Sequence, residues 1–441
     1  MHSAADAQVK VVFLNRYFFP DHSATSQMLS DLAFGLAHRG MAVHIICSRQ
    51  RYDDAKAELP PRERVGGVAV HRVWTTRFGR DRLAGRALDY ISFYFSSAWM
   101  LIRLLQRGDT VVAKTDPPLI SIVAMLAAKL RGARLINWLQ DIFPEVAWRL
   151  ASRPLPVAAN AVIGGLRNLT LRAAATNIVL GERMRDFVAQ LGVANEQLRI
   201  IPNWADLDAA TPKRASDSEL RTRLELQSAF IVGYSGNLGR AHEFFTMLEA
   251  ASLLHKDHDI VFLIIGGGAS LDALKRAVQQ RDLHNFRFLP YQPRESLPDT
   301  LAAADVHWLS LLPALEGLIV PSKLYGIFAS HRPAIFIGDP DGEAARIIAS
   351  AQAGIAVAPG NSGLLAEQIA RLKSDFNARE IMGQNGYRLY RDRFTAETAL
   401  AEWTAVLTDQ RDSNTSAQRA VKAANVKRPP SSTVDLPRVR R

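Results

Sequence analysis

Cysteine is almost missing from this chain. One residue in 441, Cys47, sits inside an apolar run, so no internal disulfide framework braces the fold and a reducing compartment is expected. No segment reaches the roughly 18 uninterrupted apolar residues of a membrane-spanning helix. The nearest, Tyr90 to Leu105, is interrupted by Arg103. The opening MHSAADAQVKVV lacks the charged, apolar, then small-residue order of a secretion signal. A cytoplasmic location is expected. Internal repeats and metal-type cysteine clusters are absent as well.

Two nucleotide fingerprints are also missing. A dinucleotide site needs G-x-G-x-x-G directly after a strand. The first strand here, VKVVFLNRYFFPDHS, contains no glycine, while GYSGNLG and GGGAS have the wrong spacing. No G-x-x-x-x-G-K-[ST] occurs either. Dinucleotide and P-loop chemistry are disfavoured.

What the chain has is alternation. Strand-length apolar runs begin at Val9, Ala42, Val68, Thr110, Arg134, Asn177 and Arg199, and again at Phe230, Asp259, Phe286, Asp305, Pro333 and Gly354. Helix-like segments separate them; Ala24 to Gly40, with Met28, Leu29, Leu32 and Leu36 at helical spacing, is one. This order implies parallel sheets covered on both faces. A polar stretch from Asp206 to Ser228 reads as a linker. The fold class is α/β, two doubly wound Rossmann-like domains in series facing a cleft, with boundaries expected at 1–207 and 208–385. Ligands of such sheets bind at the carboxyl ends of strands.

The net charge is +11. Eight basic and two acidic residues lie between Arg411 and Arg441, a composition expected to be disordered. Such a tail serves solubility or attraction to anionic lipid. The oily stretches Tyr90 to Leu105 and Leu119 to Leu130 suit helices packed on a sheet or lying in a membrane interface. No basic-plus-aromatic module accompanies the charge, so nucleic acid is not an expected partner.

The most informative segment is EGLIVPSKLYGIFASHRP, Glu316 to Pro333, between two apolar runs. Pro321, Ser322, Lys323 and Leu324 read as a helix start at a strand end, with serine as a cap and Lys323 adding charge. Unpaired N–H groups there favour phosphate. Gly236-Asn237-Leu238-Gly239-Arg240 ends another strand, with glycines that let backbone approach a ligand and a guanidinium matched to phosphate. Gly266 and Gly267 end the next. Asp339-Pro340-Asp341 and Asp206-Leu207-Asp208 match the metal-holding D-x-D pattern, but the first is equally a turn sequence; no metal is expected. Asp141 and Glu145, in WLQDIFPE, are candidate acid–base carboxylates, and His22 precedes the helix at Ala24.

NWLQDIFPE, IIPNWAD, GYSGNLGRAHEF, LIIGGGA and VPSKLYGIFASHRPAIFIG resemble family 4 of the retaining glycosyltransferases, which have the GT-B fold. More narrowly, the chain resembles bacterial colanic acid or O-antigen transferases of the fucosyl or fucosamine type, over roughly Val9 to Leu407. The resemblance implies a nucleotide-diphosphate sugar in the second domain, near Gly236, Asn237, Arg240 and Lys323, with Tyr291 beside the base. It implies a lipid-linked saccharide acceptor in the first domain, near His22 and Asp141–Glu145. It further implies transfer with retention, no metal, a helix over 386–410 crossing back, and peripheral contact with the inner membrane. The family's E-x7-E pair is not recovered: its places fall on Leu318 and Gly326, or its second on Lys323. The family's phosphate-binding arginine and lysine fall on Asn237 and His242. Two other readings share the architecture: a nucleotide-sugar 2-epimerase and a non-catalytic sugar-nucleotide binding protein.

Overall fold

The computed structural model describes residues 10–21, 23–52, 54, 56–79, 83–151, 156–206 and 213–408. His22, Leu207, Asp208 and the basic tail lie outside the described residues. Up to Leu400 the chain is one compact unit that holds two sheets. A second unit starts at Ala401, and its described part is the end of the helix Ala396–Thr408.

The first sheet contains β1 (Lys10–Leu14), β2 (Ala42–Ser48), β3 (Arg62–Val65), β4 (Val68–Val73), β5 (Thr110–Lys114), β6 (Arg134–Trp138), β7 (Thr176–Val179) and β8 (Leu198–Ile200). Its order is β3-β4-β2-β1-β5-β6-β7-β8, and every pair except β3–β4 is parallel. Every residue of β5 and β7 is buried. Strands covered by helices on both faces require apolar side chains in succession, which is why these runs show no alternation.

β3 is the strand that apolar patterning misses. Its sequence, RERV, has no buried residue, so nothing in its hydropathy marks it. It forms because Gly66 and Gly67, both at positive φ, turn the chain back onto β4 as an antiparallel edge. Charged side chains suit an edge strand that must not recruit a neighbour.

The second sheet contains β9 (Phe230–Asn237), β10 (Ile260–Gly267), β11 (Phe286–Leu289), β12 (Val306–Ser310), β13 (Ala334–Ile337) and β14 (Gly354–Val357), in the order β11-β10-β9-β12-β13-β14, all parallel. Tyr234 and Trp308 pack with ring centres 4.6 Å apart, tilted by 42°, within its core. The stretch expected as a polar linker includes a short helix, Glu219–Arg223, whose Leu220 is buried and whose first N–H groups are held by Asp299.

Helices of the first half are α1 (Ala24–His38), α2 (Leu83–Leu104), α3 (Ile120–Arg131), α4 (Glu145–Leu150), α5 (Val157–Ala173) and α6 (Glu182–Gln190). Met28, Leu29, Leu32 and Leu36 of α1 all face inward. No helix among the described residues is long and apolar enough to cross a membrane. At the far end the chain returns to the first half: Thr395 bridges Ala205, Tyr390 Oη lies 3.3 Å from the Ala205 carbonyl, and Glu397 pairs with Arg39.

Candidate active site

Each sheet reverses its strand order around one strand, β1 between β2 and β5, and β9 between β10 and β12. Loops part at such points, and a crevice opens at the carboxyl ends of the strands. A cleft of about 460 Å³ lies there, with Asp141 from the loop after β6 and Ser322 from the loop after β12 both in its wall. Arg86 and Tyr90 of α2 and Asn203 of the crossover also line it. The two loops are sewn together by backbone. Ile142 N–H donates to the Leu318 carbonyl at 3.0 Å, and Asp141 and Ile319 form an isolated antiparallel bridge.

The two carboxylates of WLQDIFPE part company. Asp141 faces the cleft, where burial lifts its carboxyl above the usual range and a hydrogen bond from the Thr115 side chain offsets part of the rise. Glu145, one turn on, receives two hydrogen bonds from Arg167, at 2.6 and 3.0 Å, and Arg167 also donates to the Phe143 carbonyl. A carboxylate held by a bidentate guanidinium is a structural anchor, and the acid–base role expected of Glu145 is withdrawn.

In the second half, β9 ends at Gly236-Asn237 against Lys323. Lys323 Nζ donates to the Asn237 carbonyl at 3.1 Å, lies 3.3 Å from His242 Nε2, and sits 5.0 Å above the centre of the Tyr234 ring. His242 Nδ1 is 2.7 Å from the Ser310 carbonyl. A carbonyl only accepts, so Nδ1 carries the proton and Nε2 offers its lone pair to Lys323. Burial and the neighbouring ammonium lower His242 to about 4, while burial lowers Lys323 to about 8. No carboxylate among the described residues pairs with Lys323. An ammonium that has only neutral neighbours is a seat for an anion.

Other expected donor contacts move or vanish. Gly236 stands at φ +124, and a Cβ there would meet Lys323 Cε at 3.0 Å, so glycine lets the ammonium close on the strand end. Gly266 is buried, and a Cβ would fall 2.2 Å from the Gly236 carbonyl oxygen. Its glycine serves strand-to-strand approach, which corrects its assignment to the donor. Gly267 lies under the exposed Tyr291 ring. Arg240 and Asn237 are exposed on the turn. Pro321 is buried and Ser322 exposed; Ser322 makes no side-chain cap to the helix Lys323–Ala329. That corrects the capping expectation, because Ser322 is itself in helical conformation. Leu324 is fully buried, so its side chain belongs to the core rather than to a ligand.

The doublet Asp339-Pro340-Asp341 gathers no ligands among the described residues. Asp341 pairs with Arg183 and Arg346, and Asp339 caps the turn by accepting from Asp341 N–H. Among the described residues no group of three His, Cys, Asp or Glu is placed to hold a metal ion. Glu316 accepts from Glu343 N–H at 2.7 Å and caps the helix Glu343–Ala351. His242 is the site residue that composition alone does not mark; its signal was position, six residues after Gly236, where the family's lysine falls.

Residues 24–204 match the family described as glycosyl transferase 4-like domain, and residues 217–389 match glycosyl transferases group 1. Both halves of the chain belong to glycosyltransferase families. A putative colanic acid biosynthesis glycosyl transferase of Escherichia coli is 28% identical over 336 residues, covering 73% of this chain and 81% of that protein. Among solved structures, sucrose-phosphate synthase of Thermosynechococcus elongatus superposes with a TM-score of 0.72 at 15% identity, over 92% of this chain and all of that one. Anabaena HepE, in complex with UDP and glucose, gives 0.68 at 17% identity over 91% of this chain and all of that one. These likenesses establish the GT-B fold of this glycosyltransferase.

Proposed function

We propose that this glycosyltransferase moves a sugar, with retention, from a nucleotide-diphosphate sugar to a lipid-linked saccharide acceptor in surface polysaccharide synthesis, at the inner face of the cell membrane. The observation that carries the reading is Lys323, a cation without a carboxylate partner, pressed on the glycine-built end of β9 one residue from the cleft wall. In the transfer, the bond between the sugar's anomeric carbon and the diphosphate oxygen breaks. A new bond to an acceptor hydroxyl forms on the same face. The departing diphosphate gains negative charge, which Lys323 and the exposed Arg240 can meet in place. Asp141, in the cleft wall beside Asp116, is a carboxylate placed to take the acceptor hydroxyl's proton. The HepE structure, in complex with UDP and glucose, supports a nucleotide donor by likeness of fold, and the Escherichia coli relative supports a polysaccharide product.

Incubation with labelled nucleotide sugars, with and without membrane lipid extract, tests the proposal. Label passing into the lipid fraction is the expected result. Isomerised donor with no labelled lipid would make the protein an epimerase, and donor binding with neither product would make it a binding protein.

A further inference from the structure

We infer that α2, α3 and α5 together form a docking face for an anionic lipid surface; this rests on the lipid-linked acceptor proposed above and names the surface that brings it in. The three helices lie side by side on one face of the first sheet. Tyr94 of α2 donates to the Pro118 carbonyl ahead of α3, and the Ser121 and Thr170 hydroxyls join α3 to α5 at 2.9 Å. Phe93, Leu101, Ala124 and Ala128 pack inward. A surface helix normally turns a polar face outward. These do not. Leu88, Ile91, Phe95 and Trp99 of α2 are exposed at three-to-four spacing, Phe95 at 75% and Trp99 at 58%. Leu126 and Leu130 of α3, with Val162 and Leu166 of α5, are exposed as well.

Charge decides the occupant. The three helices contain one carboxylate, Asp89, which is fully buried against Arg16 and the backbone N–H groups of Phe78 and Gly79. The face therefore has no negative charge. Each helix crosses between parallel strands, so all three finish at the same edge. Arg103, Arg107, Lys129, Arg131 and Arg172 are exposed there, and none forms an ion pair among the described residues. Arg103 lies 4.5 Å from the centre of the Trp99 ring. A second copy of the face could cover the apolar strip but would bring no negative charge to the basic rim. An acidic bilayer meets both the apolar strip and its basic rim, and aromatic rings beside arginine suit the headgroup level. On its other side α2 presents Arg86 and Tyr90 to the cleft, so the helix that rests on lipid also walls the acceptor's path.

The test is sedimentation of the full-length protein with vesicles of phosphatidylcholine alone or mixed with phosphatidylglycerol, with nucleotide-sugar binding measured separately without lipid. The protein should pellet with the mixed vesicles, be released by salt, and ignore phosphatidylcholine alone. The variants Phe95→Ser/Trp99→Ser and Arg103→Gln/Lys129→Gln/Arg131→Gln should each bind mixed vesicles about tenfold more weakly or worse, with donor affinity unchanged. The inference is overturned if both variants pellet like the parent, if the parent ignores the acidic vesicles, or if the parent is a dimer that the Phe95/Trp99 variant splits. Face-dependent vesicle binding in a protein that binds no nucleotide sugar would uphold the docking face and sink the proposed activity.

Discussion

Lys323 Nζ stands 3.3 Å from His242 Nε2, and because His242 spends its one proton on the Ser310 carbonyl, it can only receive from the ammonium. The pair therefore holds one positive charge. A second cation at His242, as the family pattern would place there, is absent by tautomer as well as by residue type.

Replacing Lys323 with alanine should weaken donor binding about tenfold to a hundredfold, the worth of one charge-assisted hydrogen bond of roughly 1.5–3 kcal/mol. Binding is also expected to fall as pH rises through about 8, where the free ammonium loses its proton. Titration calorimetry against nucleoside diphosphate at several pH values reads both. A variant with parental affinity, or a parent with flat pH dependence above 8, removes Lys323 from the site.

Asp141→Asn should abolish most turnover, about a hundredfold or more, with donor affinity kept, as expected for a proton acceptor. Glu145→Ala should instead leave Arg167 unpaired in a mostly buried place and lower stability by about 2 kcal/mol. Its turnover at a temperature where it is folded should match the parent. Thermal unfolding beside initial rates separates the two; a large loss of rate in well-folded Glu145→Ala would restore it to the mechanism.

Stability should fall in mild acid. His44, His242 and His307 are each lowered to about 4 from an ordinary 6.5, chiefly by burial. Above pH 6.5 these side chains are neutral in both folded and unfolded chains and contribute no pH dependence. Between about 6.5 and about 4 the unfolded chain takes up protons that the folded chain refuses, so folding loses ground as pH drops. Urea unfolding across that window should show the slope, and His307→Asn should reduce it. His307 is the best choice because its Nε2 is held by the Leu301 carbonyl at 2.8 Å inside the core.

Gly266→Ala should cost at least about 2 kcal/mol, because φ is +130 and the new methyl would collide with the Gly236 carbonyl oxygen, an atom that cannot swing aside. Loss of donor affinity should follow through Gly236. Denaturant melts check the first effect; an unchanged midpoint would contradict the close approach.

Much was readable along the chain because its information is local there. The buried runs of β1, β5 and β12 announce a parallel sheet, since strands covered on both faces need apolar residues in succession. That Gly236 and Lys323 would stand at strand ends was legible, because a glycine closing an apolar run and a lysine after Val-Pro-Ser are marked by residue type. β3 was not legible, because a charged edge strand is specified by its Gly66-Gly67 turn and by its partner. The separate fates of Asp141 and Glu145 were equally hidden. Four positions apart in one motif, they differ only because Arg167 arrives from α5.

The exposed strip on α2 shows the same division. Its oily sequence was plain, and two readings were open, a helix buried on a sheet or one lying against a membrane. Folding buries one side of the helix and exposes the other. Phe93 and Leu101 turn inward while Phe95 and Trp99 turn outward, and the neighbours α3 and α5 expose apolar residues as well and add no acidic charge. Residue types along the chain determined the two parallel-sheet halves and the glycine and lysine at the strand ends, because hydrophobic burial and local charge are properties of short segments. Which carboxylate faces the cleft, which proton His242 holds, and what surrounds Lys323 were decided only by tertiary structure, because each depends on a partner distant in sequence.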